Sequence, residues 1–346
     1  MLKKLFKQRL FLVGSMVCGA FTLISLLGYS ICIDSTTNAN QIMPEWASLS
    51  PGATVKFVQK QRVQPLTVMN WLMGDDGQGE LISVDAGKIS LENEKIGFYN
   101  LKTGQQIEIP TRELAKPQIQ TRVFWLGTDR FGRDIYSRLV IGARVSLSIG
   151  FLAMFISLLI GVVIGLIAGY FGGKIDQCIT WLITVFWSVP TLLIALGLSY
   201  FLGKGYWQVL LATGLSSWVE VARVVRGQAM QLRNREFVLS ARITGFSPWH
   251  IMFRHILPNL KGSLTVLATT NFASAILLEA GLSFLGLGVA PPTPSWGIMV
   301  KENLGYLVID KAYLAIIPGA AIMILVMAFN LMSMGIKDSL DIEERG

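Results

Sequence analysis

Six apolar runs of membrane-crossing length dominate this chain: residues 10–33, 145–169, 178–202, 207–225, 262–287 and 312–336. Inside hydrocarbon every backbone N–H and C=O must be paired within the segment, so a run of about 20 such residues is committed to an α-helix. The remainder of the 346 residues does not dilute that pattern, being 52% hydrophobic and 15% charged overall. The expected fold is an all-α integral membrane protein of six transmembrane helices, with lipid as its main surroundings.

Orientation follows from the basic residues beside the spans. Lys3, Lys4, Lys7 and Arg9 precede the first run with no acid among them. Residues 220–261, between the fourth and fifth runs, hold seven Arg/Lys against two Glu. The segments 203–206 and 288–311 are nearly balanced. By the positive-inside rule the N-terminus and the 220–261 loop are cytoplasmic. Six spans then put the tail, 337–346, inside as well. The net charge of +8 is thus explained by topology and not by nucleic acid. The first run exceeds the 7–15 residues of a secretory h-region and reads as a retained anchor, making 1–33 a cytoplasmic N-terminus plus anchor. Cys18, Cys32 and Cys178 lie in or at the ends of spans with no metal-type spacing, so neither a disulfide framework nor a metal site is expected.

Residues 34–122 belong to neither flanking span. Strand-like runs at 81–84, 88–91, 96–99 and 106–109 are separated by turn signals at 92–95 and 101–105. They predict a small β-rich insertion, extracytoplasmic by topology, followed by a segment 123–144 leading into the second span. The insertion reads either as an ornament or as a contact surface for another extracytoplasmic component.

The 220–261 loop is more than a connector. Residues 235–244 are good helix formers and end at Gly245, which can take the left-handed position after a helix. Ser247 and Pro248 supply an N-cap and a first-turn proline for a second short helix that runs until Pro258. A membrane protein that builds two helices in a cytosolic loop presents a docking surface.

No catalytic constellation is visible. His250 and His255 are five apart, not at the three- or four-residue spacing that shares a helix face. Gly172-Gly-Lys174 is followed by Ile175 and lacks the upstream glycine of a phosphate loop. Gly161, Gly165, Gly169 and Gly173 recur every four residues, a surface for close helix packing. Pro190 predicts a kink in the third span. Glu279 is the intramembrane charge; such a carboxylate faces a bundle interior or a wet cavity, so it reads either as a bond to a neighbouring helix or as part of a transport path.

Three motifs then match a family in order. LGTDRFGRDIYSR, residues 126–138, followed by GARVSL, 142–147, resembles the segment before the second span in permease subunits of oligopeptide/dipeptide/nickel ABC importers. GLSFLGLGVAPPTPSWG, 281–297, is similar to that family's end of the fifth span and the loop after it. The cytosolic loop resembles the coupling region of binding-protein-dependent permeases, with Gly245 at the motif glycine and Leu257-Pro258 at its closing pair. The leading LGTD…GRD segment is similar to the C-type subunit of a heterodimer. The resemblance singles out Gly127, Thr128, Asp129, Gly132, Arg133, Asp134, Ser137 and Arg138 before the second span. For ATPase coupling it singles out Glu236, Ser240, Ala241, Arg242, Gly245, Pro248, Leu257 and Pro258. The chain departs from the family where the coupling motif opens Glu-Ala-Ala, since it has Leu239, Ser240 and Ala241 there, and Glu236 lies one turn earlier.

The resemblance implies a type I permease domain over 145–336. The chain would form half of a pore for short peptides or a similar small solute in a bacterial inner membrane. Its partners would be a second permease subunit, two ATP-binding subunits that bind ATP and magnesium, and an extracytoplasmic solute-binding protein. This chain itself would be no enzyme and would bind no cofactor. Two alternatives from other classes are an ion channel or secondary transporter, and a membrane-anchored sensor or scaffold.

Overall fold

The computed structural model describes residues 8–62, 70, 73–75, 77, 79–92, 95–100, 105–308 and 310–345. It is mostly helical. Helix α1 (Arg9–Leu26) is followed by a one-turn helix, Gly28–Ile31, and then by a five-stranded antiparallel sheet. The strands are β1 (Ala53–Lys60), β2 (Leu81–Glu92), β3 (Lys95–Asn100), β4 (Gln106–Pro110) and β5 (Leu114–Phe124), in spatial order β4-β3-β2-β1-β5. The bundle continues with α2 (Ile135–Phe171), α3 (Gly173–Trp187), α4 (Thr191–Leu202), α5 (Tyr206–Ser216), α6 (Trp218–Leu232) and α7 (Glu236–Ile243). It ends with α8 (Pro248–Leu285), α9 (Trp296–Asn303) and α10 (Tyr313–Arg345).

Among the described residues four helices are long and apolar enough to cross a membrane: α1, α2, α8 and α10, with a fifth crossing if α3 and α4 count as one broken span. Those two are bent by 87° at Ser188–Pro190, where Pro190 lacks an N–H and disfavours helix at the residue before it. Over the expected span 207–225 the chain forms two helices instead of one. α5 and α6 meet at Ser217, neither reaches 18 residues, and α6 runs on to Leu232.

Helix α2, with 37 residues, is about 55 Å long at 1.5 Å per residue, well beyond a bilayer core of about 30 Å. It is the axis on which both ends of the molecule are built. Along it Gly161, Gly165 and Gly169 meet α6: an added Cβ would lie 2.5 Å from Val221 Cβ at Gly161, 2.6 Å from Ala222 O at Gly165 and 2.6 Å from Ala229 Cβ at Gly169. The fourth glycine of the expected series departs from it. Gly173, with φ +54°, begins α3 and has open space around it. Glycines also join α1 to α10, where Gly14 lies against Ala328 and Gly335 against Phe11.

In the sheet, β2, β3 and β4 cover the four expected runs, the first two merging into β2 across a register irregularity between Val84 and Ile89. The expected turn residues 93–94 and 101–104 lie outside the described residues. The core is Val58, Ile82, Val84, Ile96, Phe98, Ile109 and Leu114. Strands β1 and β5 add to the expectation. The 114–124 run contains Pro117, which argues against a strand, but β5 is an edge strand and its pairing with β1 shifts register between Val58 and Lys60. An edge position spares proline the missing ladder bond.

Candidate functional site

The loop between α6 and α8 has the expected two-helix form. Helix α7 starts after Arg235 with Glu236 in its first turn, where a carboxylate favours the helix dipole. It ends in a Schellman turn: Phe246 N–H donates to Ala241 O at 3.2 Å and Gly245 N–H to Arg242 O at 3.1 Å, with Gly245 left-handed at φ +84°. Ser247 Oγ then caps α8 by accepting from His250 N at 3.3 Å, with Pro248 in the first turn.

One expectation is overturned by the next six residues. Ile251–Ile256 is a π-helix, whose i→i+5 bonding brings residues five apart above one another. His250 and His255, which α-helical geometry would separate, have ring centroids 5.6 Å apart, and Phe246 stacks on His250 at 4.7 Å. Nor does Pro258 end the helix. It sits in a 3-10 turn, Leu257–Leu260, just after the π-turn closed by Leu257 N–H on Met252 O, and the helix continues to Leu285.

The loop has two faces. Val238, Ala241, Ile251, Met252 and Ile256 are buried with Leu166 and Tyr170 of α2 and Val221, Val225 and Ala229 of α6, and Leu257 packs against the same cluster. Arg242 lies 5.4 Å over the Tyr170 ring. An Asp176–Arg226 pair, with Nη2 to Oδ2 at 2.7 Å, clamps α3 to α6 beside it. The outward face is apolar: Phe237, Leu239, Ile243, Phe246, Trp249 and Phe253 are exposed, Ile243 by 88%. Glu236 and Ser240 are exposed too. A contiguous apolar face of that kind, anchored on its other side, marks a binding surface.

At the far end of α2 the eight residues singled out before the second span are drawn together and are all buried, except for the two turn glycines' lack of side chains. Asp129 pairs with Arg133 (Oδ2 to Nε, 2.6 Å), and Arg133 reaches Glu302 of α9 at 2.8 Å, with Arg138 at 3.4 Å from the same carboxylate. Asp134 caps α2 by accepting from Ser137 N at 2.9 Å, and Ser137 Oγ accepts from Ile33 N at 3.0 Å and Asp34 N at 2.9 Å. Burial pushes the Asp134 carboxyl above its usual range, against the pull of its bonds to Ser137. Thr128 Oγ1 accepts from Leu49 N at 2.8 Å and donates to Trp46 O. Gly127 (φ +75°) and Gly132 (φ +76°) have the Leu49 and Met43 carbonyls where a Cβ would stand. The segment before the sheet is therefore part of this lock, and Lys311 adds a bond to Ser48 O at 2.6 Å. The sequence gives no sign of Glu302 as the shared partner, because ion pairs between distant segments leave no local spacing.

Glu279 is 1% exposed. Its Oε1 accepts from Ser283 Oγ at 2.7 Å and its Oε2 from Ser146 Oγ of α2 at 3.4 Å, with Ser295 Oγ 3.4 Å from Ser283 Oγ. The carboxylate thus joins α8, α2 and the start of α9 inside the chain's own bundle.

With that geometry, residues 161–342 match the family model described as binding-protein-dependent transport system inner membrane component. The chain is 40% identical to the oligopeptide transport system permease protein OppC of Bacillus subtilis over 217 residues, which is 63% of this chain and 71% of that protein. It is 43% identical to the glutathione transport system permease protein GsiD of Shigella flexneri over 222 residues, 64% of this chain and 73% of that one. Among solved structures, one of inward-facing conformations of the MetNI methionine ABC transporter aligns over 57% of this chain and 95% of its own, with 17% identity and a TM-score of 0.46.

Proposed function

The chain belongs to the inner membrane components of binding-protein-dependent transport systems, and from that premise we propose that it forms half of the pore of an ATP-driven importer of short peptides. The observation that carries the reading is the outward apolar face of α7 and the start of α8. Six large hydrophobic side chains stand in the open on a loop whose other side is locked into α2 and α6. Such a face suits a groove on an ATP-hydrolysing subunit. Glu236, three residues before the exposed Leu239 and on the same helix face, serves there in place of the glutamate with which the family's motif opens. Movement of the groove on nucleotide binding is then passed through the packed cluster to the spans, which alternate between openings.

In this reading the chain crosses the membrane six times, with α3/α4 and α5/α6 each forming one broken crossing. Both termini and α7 are cytoplasmic, and the sheet is extracytoplasmic. The partners are a second, non-identical permease, two ATP-binding subunits that hold ATP and magnesium, and a solute-binding protein, in a bacterial inner membrane. Glu279 holds helices together and does not line the path.

Two experiments test this. The chain co-expressed with its neighbouring permease and ATP-binding subunits should co-purify with both, and the reconstituted complex should take up peptide only with ATP. In cells, Lys95→Cys should label with an impermeant maleimide from outside the inner membrane and Ser247→Cys only after that membrane is opened. Equal labelling of the two would reject the topology. The break between α3 and α4 is a feature that secondary transporters also use; uptake driven by an ion gradient without ATP would favour that reading instead.

A further inference from the structure

The 87° bend between α3 and α4 opens a cavity of about 380 Å³ against α6 and α8. Trp187, Thr191, Ser217, Glu220, Asn271 and Ser274 are among its walls, with Phe186, Leu192 and Leu277 beside them, a lining that mixes polar and apolar side chains. Its most telling atom is Asn271 Oδ1. Asn271 is 5% exposed, its Nδ2 is held by Ser217 O at 3.5 Å, and its Oδ1 has no hydrogen-bond partner. A buried amide oxygen left open is destabilising unless something donates to it.

Two further features share that lining. Glu220 has no salt bridge among the described residues, although Arg223 follows it by one helical turn; Arg223 lies 3.7 Å over the Trp187 ring instead. A second groove of about 580 Å³, lined by Trp187, Glu220 and Arg223, adjoins the cavity and leads along α6. In the same lining Thr191 opens α4, a helix of 12 residues with the positive end of its dipole there. Leu193 N–H donates to Pro190 O at 2.8 Å, and the N–H groups of Thr191 and Leu192 precede it, where a helix supplies no carbonyl of its own.

We propose that this cavity recognises a short zwitterionic peptide in transit: Glu220 takes the α-ammonium, Asn271 Oδ1 an amide N–H, and the N-terminus of α4 the C-terminal carboxylate. The inference rests on the permease reading for its physiological meaning but not for its test. It adds a filter in the membrane domain to whatever selection a binding protein makes.

The test uses the assembled complex in nanodiscs without binding protein. Ser274 is exposed to the cavity, so Ser274→Cys reports occupancy through its rate of maleimide labelling, read by mass spectrometry in a Cys178→Ser background because Cys178 is exposed. Millimolar tri-alanine should slow labelling roughly fivefold, the protection expected of a site about 80% filled. N-acetylated tri-alanine and the C-terminal amide should protect far less. Glu220→Gln should abolish the preference for the free amine, Asn271→Leu should abolish protection by all three peptides, and Glu220→Asp should restore part of the preference. Unchanged labelling with tri-alanine, or equal protection by all three peptides in the parent, would overturn the site. ATP hydrolysis stimulated by loaded binding protein in the same preparation reads the import role separately. Its absence with peptide protection intact would remove that role and leave the binding site.

Discussion

The two ends of α2 are built on opposite principles. At its start, charged and hydroxyl side chains point inward and are paired: Asp129 with Arg133, Arg133 and Arg138 with Glu302, and Ser137 with the backbone of Ile33 and Asp34. At its end, Phe237, Leu239 and Ile243 of α7 and Trp249 and Phe253 of α8 stand exposed, the last two stacked on each other. Burying charge is tolerable only when partners and hydrogen bonds offset it; the first end supplies most of them within one chain, Asp134 Oδ1 and Arg138 Nη1 being the atoms of these residues left without one. An exposed apolar face of this size marks an interaction site, and the proposed function has another subunit cover it. The chain is a fixed lock at one end and an open socket-fitting at the other, joined by one helix of 37 residues.

That contrast can be broken most forcefully at the lock. Arg133→Ala removes one partner from a buried pair, leaves Asp129 without its cation and leaves Glu302 with Arg138 alone; it should cost roughly 3–5 kcal/mol, seen as a lower unfolding temperature of the purified permease. Ile243→Asp at the open end should change the stability of the permease by no more than about 0.5 kcal/mol, as for other surface changes, while co-purification of the ATP-binding subunit is lost. If the two variants behaved alike in either assay, the division between the ends would fail.

A smaller effect separates folding from coupling within the open end. Gly245 has empty space around it, so Gly245→Asp meets no clash. The strain is in the backbone, because a residue with a Cβ at φ +84° costs about 1–2 kcal/mol. The complex should therefore assemble, with ATP hydrolysis retained and peptide uptake lost. Uptake at the wild-type rate would take the turn out of the coupling.

The smallest effect belongs to Asp134 at the lock. Burial raises its carboxyl pKa, so its contribution to stability is full below the unfolded value, about 3.9, and is lost as pH rises through the folded one. Asp134→Asn keeps the acceptor for Ser137 and should be more stable than wild type at neutral pH, on the order of 1 kcal/mol. The gap should close as pH falls toward the usual carboxylate range. A gap that widens on acidification would mean the carboxylate is stabilised by its surroundings.

Which parts were legible in the sequence follows the same division. The open end was readable almost to the residue, since the Gly245 turn and the Ser247-Pro248 start are local signals that depend on neighbours in the chain. Its π-turn was not. The spacing of His250 and His255 suggests separation only if the helix is α, and the π-turn over Ile251–Ile256 has no spacing signal of its own. The lock's residues were identified through resemblance, but Glu302, Asp34 and Trp46 were invisible as their partners because those contacts span distant segments. The same limit hid Glu220 and Asn271, which share a cavity only because α3 and α4 bend apart at Pro190. Strand β5 was missed for a third reason: Pro117 argues against a strand until its edge position is known.

The central claim is that the apolar face of α7 and α8 is covered by an ATP-binding subunit. Cross-linking tests it most directly. Single cysteines at Ile243, Trp249 and, as a control on the sheet, Lys95 would each be exposed to a short bifunctional maleimide in the assembled complex. Adducts between the ATP-binding subunit and Ile243→Cys and Trp249→Cys, with none from Lys95→Cys, are the expected result. Free labelling of Ile243→Cys and Trp249→Cys by a monofunctional maleimide at the same rate with and without the ATP-binding subunits, and no adduct from either, would contradict it.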